Sequence, residues 1–242
     1  MNRFLLYSSK YIFISALFLT SVISDAQTDR EVGTGLDPIV TVGVQFNTIF
    51  ASNLFRARTT TGNSGDVTFN LIPQNGYSFG ALAKLRITKQ LYMHTGINML
   101  RRNFRVEAIV EDNISSMTIR TTMYEIPVMI TYYLRMSERY FLSLSTGFPI
   151  QYVPTDLLSG TTEMDALSLK VAAFRPASAT LVGVDYRTPN DGTFYLGAIY
   201  NIALTHQMLT RVTLRNGASP EPFIDLPLKG DYFGLVLRYY FN

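Results

Sequence analysis

The sequence predicts an all-β fold, an eight-stranded antiparallel up-and-down barrel that crosses a membrane. The first observation is a series of runs in which apolar and polar side chains alternate with a period of two, the repeat of a β-strand. The second is that long polar segments and short turns join these runs in alternation. The third is a concentration of aromatic residues beside the short turns and at the C-terminus. An apolar outer face, a polar interior and aromatic rims are typical of a transmembrane β-barrel.

The chain of 242 residues begins with a segment typical of a secretory signal peptide. Arg3 and Lys10 precede an apolar run over 11–22, and Ser24-Asp25-Ala26 places small residues before a cleavage site. The apolar run is shorter than the roughly 20 residues that a membrane helix needs. We therefore expect a signal peptide over 1–26, a short periplasmic lead over 27–37 and the barrel over 38–242.

Composition narrows the function classes. The chain has no cysteine, which argues against disulfides, a thiolate metal site and a lipid anchor on cysteine. Its net charge is +3, and cleavage after Ala26 leaves 19 basic and 17 acidic residues, a net charge of +2. This weak bias does not favour a nucleic-acid partner. No later apolar run has the length of a membrane helix, so a membrane-spanning chain must close as a barrel.

The alternating runs define the eight predicted strands, at 38–50, 75–87, 91–105, 118–134, 140–152, 177–187, 193–205 and 230–242. The last run is the clearest, because its odd-numbered residues Phe233 to Phe241 are all apolar or aromatic and its even-numbered face includes Gly234 and Arg238. Pro127 falls within the fourth run, where it removes a ladder donor and predicts a bulge or locally broken pairing.

The connections give the orientation. Long loops are predicted over 51–74, around 111–113, over 153–175 with a short helix in 164–173, and over 206–229. Short turns are predicted at 88–90, 136–138 and 189–192. Outer-membrane barrels have long extracellular loops and short periplasmic turns. The pattern therefore places the protein in the outer membrane of a Gram-negative bacterium, with both termini periplasmic.

Two sets of residues follow from this topology. The polar network expected inside the barrel comprises Lys84, Arg86, His94, Asn98, Glu125, Asp185 and Arg238. The periplasmic aromatic girdle comprises Tyr92, Tyr132, Tyr140, Phe194, Tyr239 and Phe241. Because an unpaired buried charge is costly, we expect the interior charges to pair and to fix the strand register. A soluble lipocalin-like barrel, the main rival fold, would not show an aromatic rim.

The fourth strand resembles a known family. Its segment 124–134, Tyr-Glu-Ile-Pro-Val-Met-Ile-Thr-Tyr-Tyr-Leu, is similar to the PorT-like outer-membrane β-barrel family of Bacteroidota. Segments 77–82, 91–98 and 200–204 resemble its second, third and seventh strands, although that family commonly has glycine where Ala203 stands. The resemblance implies an outer-membrane barrel of eight strands, but no activity. Some members of the family are linked to type IX secretion and gliding, or are accessory subunits of larger assemblies.

The expected function is non-enzymatic anchoring or scaffolding of a larger outer-membrane assembly, without cofactor or metal. One alternative is a stand-alone OmpX-like barrel that binds or adheres through surface loops, and another is a lipid A-modifying enzyme. The chain has only His94 and His206, and neither has a serine or metal ligand at motif spacing.

The loops are expected to meet the partners, which are outer-membrane lipid, lipopolysaccharide and one or more proteins. The apolar residues Leu157, Leu158, Met164, Leu167 and Leu169 predict either contact with another protein or a plug over the barrel mouth. The basic residues Arg56, Arg58, Arg211 and Arg215 are candidate contacts for lipopolysaccharide phosphates.

Overall fold

A computed structural model describes residues 39–51, 59–111, 113–189, 192–215 and 221–241. The predicted signal peptide and lead lie outside the described residues, as do Arg56, Arg58 and residues 190–191 of the predicted turn at 189–192. The strands are β1 (Val40–Ile49), β2 (Thr60–Ser64), β3 (Val67–Arg86), β4 (Leu91–Val110), β5 (Asn113–Ile126), β6 (Val128–Arg135), β7 (Tyr140–Gly147), β8 (Ile150–Tyr152), β9 (Leu157–Gly160), β10 (Met164–Lys170), β11 (Phe174–Arg187), β12 (Gly192–Ala203), β13 (Met208–Leu214), β14 (Phe223–Leu228) and β15 (Tyr232–Phe241).

The larger sheet closes on itself as an antiparallel barrel. Strand β1 pairs with β3, β3 pairs with β4, and β4 pairs with both β5 and β6. The circuit continues through β7 and β8 to β11, and through β12 to β15. Strand β15 then pairs with β1, where Val42 lies opposite Phe241. All these pairings are antiparallel, and because the described strands close into a ring, the barrel has no open sheet edge.

Proline interrupts the wall without shifting its register. Asn98 pairs with Glu125 and Thr95 with Val128, so β5 and β6 form one continuous run that is broken at Pro127. The pairing is therefore locally broken there, and no bulge is present. The register shift of the barrel lies instead between Gln74 and Tyr77 of β3. Strands β7 and β8 are likewise separated by the Phe148-Pro149 pair.

A β-sandwich extends one end of the barrel. Strands β3, β4 and β5 continue past the barrel and, with β2, form one sheet, whereas β14, β13, β10 and β9 form a second sheet in that order. The two sheets bury a shared apolar core that includes Phe69, Phe104, Ile119, Met164 and Val212. We call this end the sandwich end and the opposite end, with the turns at 88–90 and 136–138, the turn end.

The sandwich corrects the predictions for the long loops. The predicted loop 51–74 contains β2 and the start of β3, loop 153–175 contains β9 and β10, and loop 206–229 contains β13 and β14. The predicted helix in 164–173 is wrong, because β10 occupies Met164–Lys170. The predicted hairpin tip near residue 111 is present as a turn, in which Glu111 has φ 52°. The described chain thus has more strand segments than the eight predicted runs.

Candidate functional site: the polar barrel interior

The side chains inside the turn end form a cluster around His94. The Arg238 guanidinium donates to the Nδ1 atom of His94 at 3.2 Å and, through Nε, to Oε1 of Gln45 at 3.1 Å. Because arginine only donates, His94 must accept at Nδ1 and carry its proton on Nε2. The Nε2 atom then donates to the Tyr133 hydroxyl at 3.4 Å. These contacts hold the imidazole in one orientation within the cluster.

Lys84 lies in the same cluster against aromatic rings. Its Nζ atom is 4.8 Å from the ring centre of Tyr240 and 5.2 Å from that of Tyr92. A cation over aromatic faces is stabilised by the ring quadrupoles, which offsets part of its desolvation. Arg238 packs over the Tyr195 ring in the same way, at 4.9 Å. The turn end of the lumen is therefore filled by cations and aromatic rings.

Asp185 supplies negative charge to this cluster. Its Oδ2 atom accepts a hydrogen bond of 2.7 Å from the Ser143 hydroxyl on the neighbouring strand. The carboxylate also interacts electrostatically with Lys84 and Arg238. Its exposed fraction is only 2 %, so it is enclosed by the barrel wall. The turn-end cluster therefore combines one buried carboxylate with two buried cations.

A second cluster lies nearer the sandwich end and forms a chain of amides around Glu125. Asn98 donates to Oε1 of Glu125 at 3.5 Å, and Gln151 donates to Oε2 at 3.0 Å. Gln207, which follows β12, donates in turn to Oε1 of Gln151 at 3.1 Å. Each of these side chains is at most 3 % exposed. The chain of hydrogen bonds therefore links the barrel wall to the base of the sandwich.

Two buried arginines in the interior were missed by the sequence analysis. Arg102 is 2 % exposed and donates to the backbone carbonyls of Asp231 at 3.2 Å and Lys229 at 3.4 Å. Arg175 is 3 % exposed and donates through Nε to the carbonyl of Ala172. Arg102 has the same parity as His94 and Asn98 on β4, which could have identified it. Arg175 precedes the predicted start of its strand, so the alternating pattern did not include it.

The seven predicted interior residues differ in burial. Lys84, His94, Asn98, Glu125, Asp185 and Arg238 are all buried. Arg86 is half-buried at the turn end, where its backbone N–H donates to the carbonyl of Ile39. It is therefore at the edge of the barrel rather than among the clusters described above.

Five of the six residues of the predicted girdle lie on the outer wall. Tyr140, Phe194 and Phe241 are exposed on the outer wall, and Tyr132 and Tyr239 are half-buried there. Tyr92 corrects the prediction: it is 5 % exposed and packs inside the barrel, edge-on against Tyr133 at 4.9 Å. Its neighbours Leu91 and Met93 face outward, so the period of two requires Tyr92 to face inward.

A second aromatic rim, which the sequence analysis did not identify, marks the other edge of the apolar wall. Phe50 stacks on Phe233 at 6.2 Å, and Tyr152 packs against Phe174 at 5.1 Å. Between the rims the outer wall is apolar, with exposed side chains such as Val42, Val44, Leu196, Leu235 and Leu237. The path along β15 from Phe233 to Phe241 matches the roughly 9–11 residues of a tilted membrane strand.

The predicted loop residues lie on both faces of the second sheet of the sandwich. Met164 is fully buried in its core, whereas Leu158, Leu167 and Leu169 are exposed on the outer face of the second sheet. Arg211 forms a bidentate pair with Asp225 at 2.8 and 2.9 Å, and these hydrogen bonds lower the pKa of the Asp225 carboxyl. Arg215 pairs with Asp165. Both of these arginines are thus already bound to carboxylates.

The two histidines lie in different environments. His94 is enclosed by the turn-end cluster, and His206 is exposed at the start of the β12–β13 connection. Neither contacts a serine hydroxyl among the described residues. In that part of the chain no three His, Cys, Asp or Glu side chains are grouped to hold a metal ion. The interior clusters are arranged to hold charge and hydrogen bonds in place within the barrel.

No helix in the described ranges is long and apolar enough to span a lipid bilayer.

Comparison with known proteins identifies the class of this barrel. Residues 26–209 match the model of the outer membrane protein beta-barrel domain, and the chain belongs to this family. The outer membrane protein OprG from Pseudomonas aeruginosa has a similar fold, with a TM-score of 0.50 and 10% identity over 83% of this chain and 94% of that one. The outer membrane protease OmpT from Escherichia coli matches with a TM-score of 0.39 and 10% identity, over 83% and 92%. No curated protein sequence is significantly similar to this chain.

Proposed function

We propose that this outer-membrane β-barrel protein is a non-enzymatic anchor that presents its sandwich to a protein partner in a larger outer-membrane assembly. In this proposal eight strands cross the membrane, where β5 with β6 and β7 with β8 each count as one interrupted strand. The other six are β1, β3, β4, β11, β12 and β15. The turn end and both termini are periplasmic, residues 1–26 are a cleaved signal peptide, and the sandwich faces the cell exterior. The resemblance to the PorT-like family supports an accessory role in secretion or gliding.

The observation that carries the proposal is the apolar outer face of the second sheet of the sandwich. Leu167 lies between Leu158 and Arg211 in the sheet, and Leu169 lies opposite Leu209. Leu158 is 77% exposed, and Leu167, Leu169 and Leu209 are also exposed. This face lies beyond the aromatic rim of the apolar wall, so membrane lipid does not explain it. A group of exposed apolar side chains outside the membrane is typical of a protein interaction surface.

The filled interior supports an anchoring role rather than a channel function. Tyr195, Tyr232, Tyr240 and Arg102 are among the largest fully buried side chains, and they occupy the lumen. An eight-stranded barrel is narrow enough for its side chains to fill the interior. We therefore expect the barrel to hold the sandwich at the membrane surface without conducting ions at porin-like levels.

The test is a pull-down of tagged protein from outer membranes in mild detergent, followed by native sizing and mass spectrometry. A stoichiometric protein partner at high mass is the expected result. A monomer without a partner would contradict the anchoring role and favour the stand-alone barrel that acts through its own surface. Altered lipid A in a deletion strain would instead favour an enzyme, with His206 as the first residue to substitute.

A further inference from the structure

Arginine side chains form a basic patch on the outer wall of β4 and β5, just beyond the membrane-facing part of the barrel. Arg101 and Arg105 have the same outward parity as Ile97 and Met99 on β4. Arg120 lies on β5 opposite Asn103, between the levels of the other two arginines. Diagonal neighbours in a sheet are about 7–8 Å apart, so the three guanidinium groups can reach one phosphate-bearing group together.

These arginines are poorly neutralised by the protein. The Glu107 carboxylate is 3.9 Å from Arg105, whose side chain is 52% exposed, and this is a weak surface contact. Arg101 and Arg120 form no ion pair among the described residues. The side chains opposite Arg101 and Arg105 are the hydroxyl residues Thr122 and Thr118. By contrast, Arg211 and Arg215 on the second sheet are each paired with an aspartate.

A surface cavity of about 530 Å³ lies beside the patch. Its lining includes Pro73, Asn75, Asn103, Arg105, Thr118 and Arg120. The base is held in place by two hydrogen bonds of Asn75, whose carbonyl accepts from Asn103 at 2.8 Å and whose side chain accepts from the N–H of Ala51 at 3.0 Å. The cavity also adjoins the register shift between Gln74 and Tyr77. The patch is thus a concave surface with two arginines in its wall.

The apolar wall directly adjoining the patch indicates what occupies it. Met99 lies opposite Tyr124 at the next outward level below Arg101, and Ile97 is 55% exposed below Met99. An acyl chain packed on these side chains would place its headgroup beside Arg101. Arginine forms bidentate, charge-assisted hydrogen bonds with phosphate oxygens. A free phosphate ion would make no contact with the adjoining apolar wall.

We propose that Arg101, Arg105 and Arg120 bind the phosphate groups of a phosphorylated glycolipid of the lipid A type in the outer leaflet. The inference rests on the proposed function only in that the sandwich end faces the cell exterior. Because the apolar wall continues without a break to the patch, the lipid is bound from the side of the barrel.

The experiment compares binding of bis-phosphorylated lipid A in detergent micelles to the purified full chain and to the triple variant Arg101→Gln, Arg105→Gln, Arg120→Gln. The loss of even one charge-assisted contact weakens binding about tenfold, so we expect a loss of at least this size. The matched control removes three positive charges from the second sheet, as Lys170→Gln, Arg211→Gln, Arg215→Gln. It should bind lipid A as the wild type does.

Two further arms identify the chemistry. Dephosphorylated lipid A should bind as weakly to the wild type as phosphorylated lipid A binds to the triple variant. Millimolar inorganic phosphate should compete poorly, and strong competition would replace the lipid by a free phosphate ion. Equal binding by the wild type and the triple variant, or an equal loss in the control, would overturn the site. If the triple variant fails to fold, the single Arg120→Gln variant is measured instead, with Arg211→Gln as its control.

These results are separate from the test of anchoring, because lipid binding is measured on the isolated protein. If lipid A binding does not depend on the three arginines but a protein partner is still recovered, only this inference is overturned. A protein recovered as a monomer that nevertheless binds lipid A through the three arginines would contradict only the anchoring role.

Discussion

Gln207 donates a hydrogen bond of 3.1 Å to Gln151, although the two residues are separated by 56 positions. Gln207 lies in the connection from β12 to β13, and Gln151 lies in β8 of the barrel wall. The backbone N–H of Gln207 also donates to the carbonyl of Leu228 at 2.8 Å. This residue therefore joins the second sheet of the sandwich to the barrel interior.

Replacing Gln207 by Ala should lower the free energy of unfolding by about 1 kcal/mol, since a buried hydrogen bond is lost and Gln151 keeps an unsatisfied acceptor. Chemical unfolding in detergent, followed by circular dichroism, measures the change. The control is His206→Ala at the neighbouring exposed position, which should leave stability unchanged. Equal stability of the Gln207→Ala variant and the wild type would show that the contact contributes nothing to the joint.

The membrane part of the barrel could be predicted from the sequence because its alternation is strict. Phe233, Leu235 and Leu237 of β15 face lipid and Arg238 faces the lumen, as a period of two requires. The same rule applied to β4 would have placed Tyr92 inside. Tyr92 was instead grouped with the girdle because it adjoins a turn, and closeness to a turn does not decide which face a side chain occupies.

The sandwich could not be predicted because its strands carry mixed local patterns. The β10 sequence contains Met, Ala and Leu, which suit a helix, and its length is too short for the period to decide. Pro227 lies within β14 and is unfavourable in a central strand, but β14 is an edge strand, where a missing ladder donor is tolerated. The interior contacts are non-local, so the sequence predicted which side chains face inward but not their partners.

Glu125→Ala and Arg238→Ala should each destabilise the barrel without opening a channel. Loss of the Glu125 carboxylate leaves the amides of Asn98 and Gln151 without their acceptor, at a cost of about 3 kcal/mol. Loss of Arg238 removes the donor to His94 and Gln45 and unbalances the charge of Asp185. Thermal unfolding in detergent measures both effects.

Planar-bilayer recording of the same variants and of the wild type gives the second readout. Only background conductance is expected, because the lumen remains occupied by the surrounding aromatic side chains. Porin-like conductance of the wild-type protein would contradict the filled interior.

The proposed orientation can be measured with single cysteines, because the natural chain has none. Ser116 is exposed near the β4–β5 hairpin tip, and Glu138 is exposed in the turn between β6 and β7. The two variants are Ser116→Cys and Glu138→Cys. A membrane-impermeant maleimide added to intact cells should label the first position and leave the second unlabelled. Both should react after the outer membrane is permeabilised, which controls for accessibility. The reverse pattern would place the sandwich in the periplasm.

The apolar face of the sandwich should be required for the association with a protein partner. Leu167→Glu and Leu209→Glu place a charge in the middle of this face without touching its buried core, because both side chains are exposed. We expect each variant to fold and to recover at least about tenfold less partner in the pull-down, since a carboxylate on this face must lose its hydration when the apolar interface forms. The matched control, Ser116→Glu, introduces the same charge on the other sheet and should retain the partner. Full recovery of the partner by both leucine variants would show that another surface makes the contact, because a partner bound to this face cannot avoid both positions.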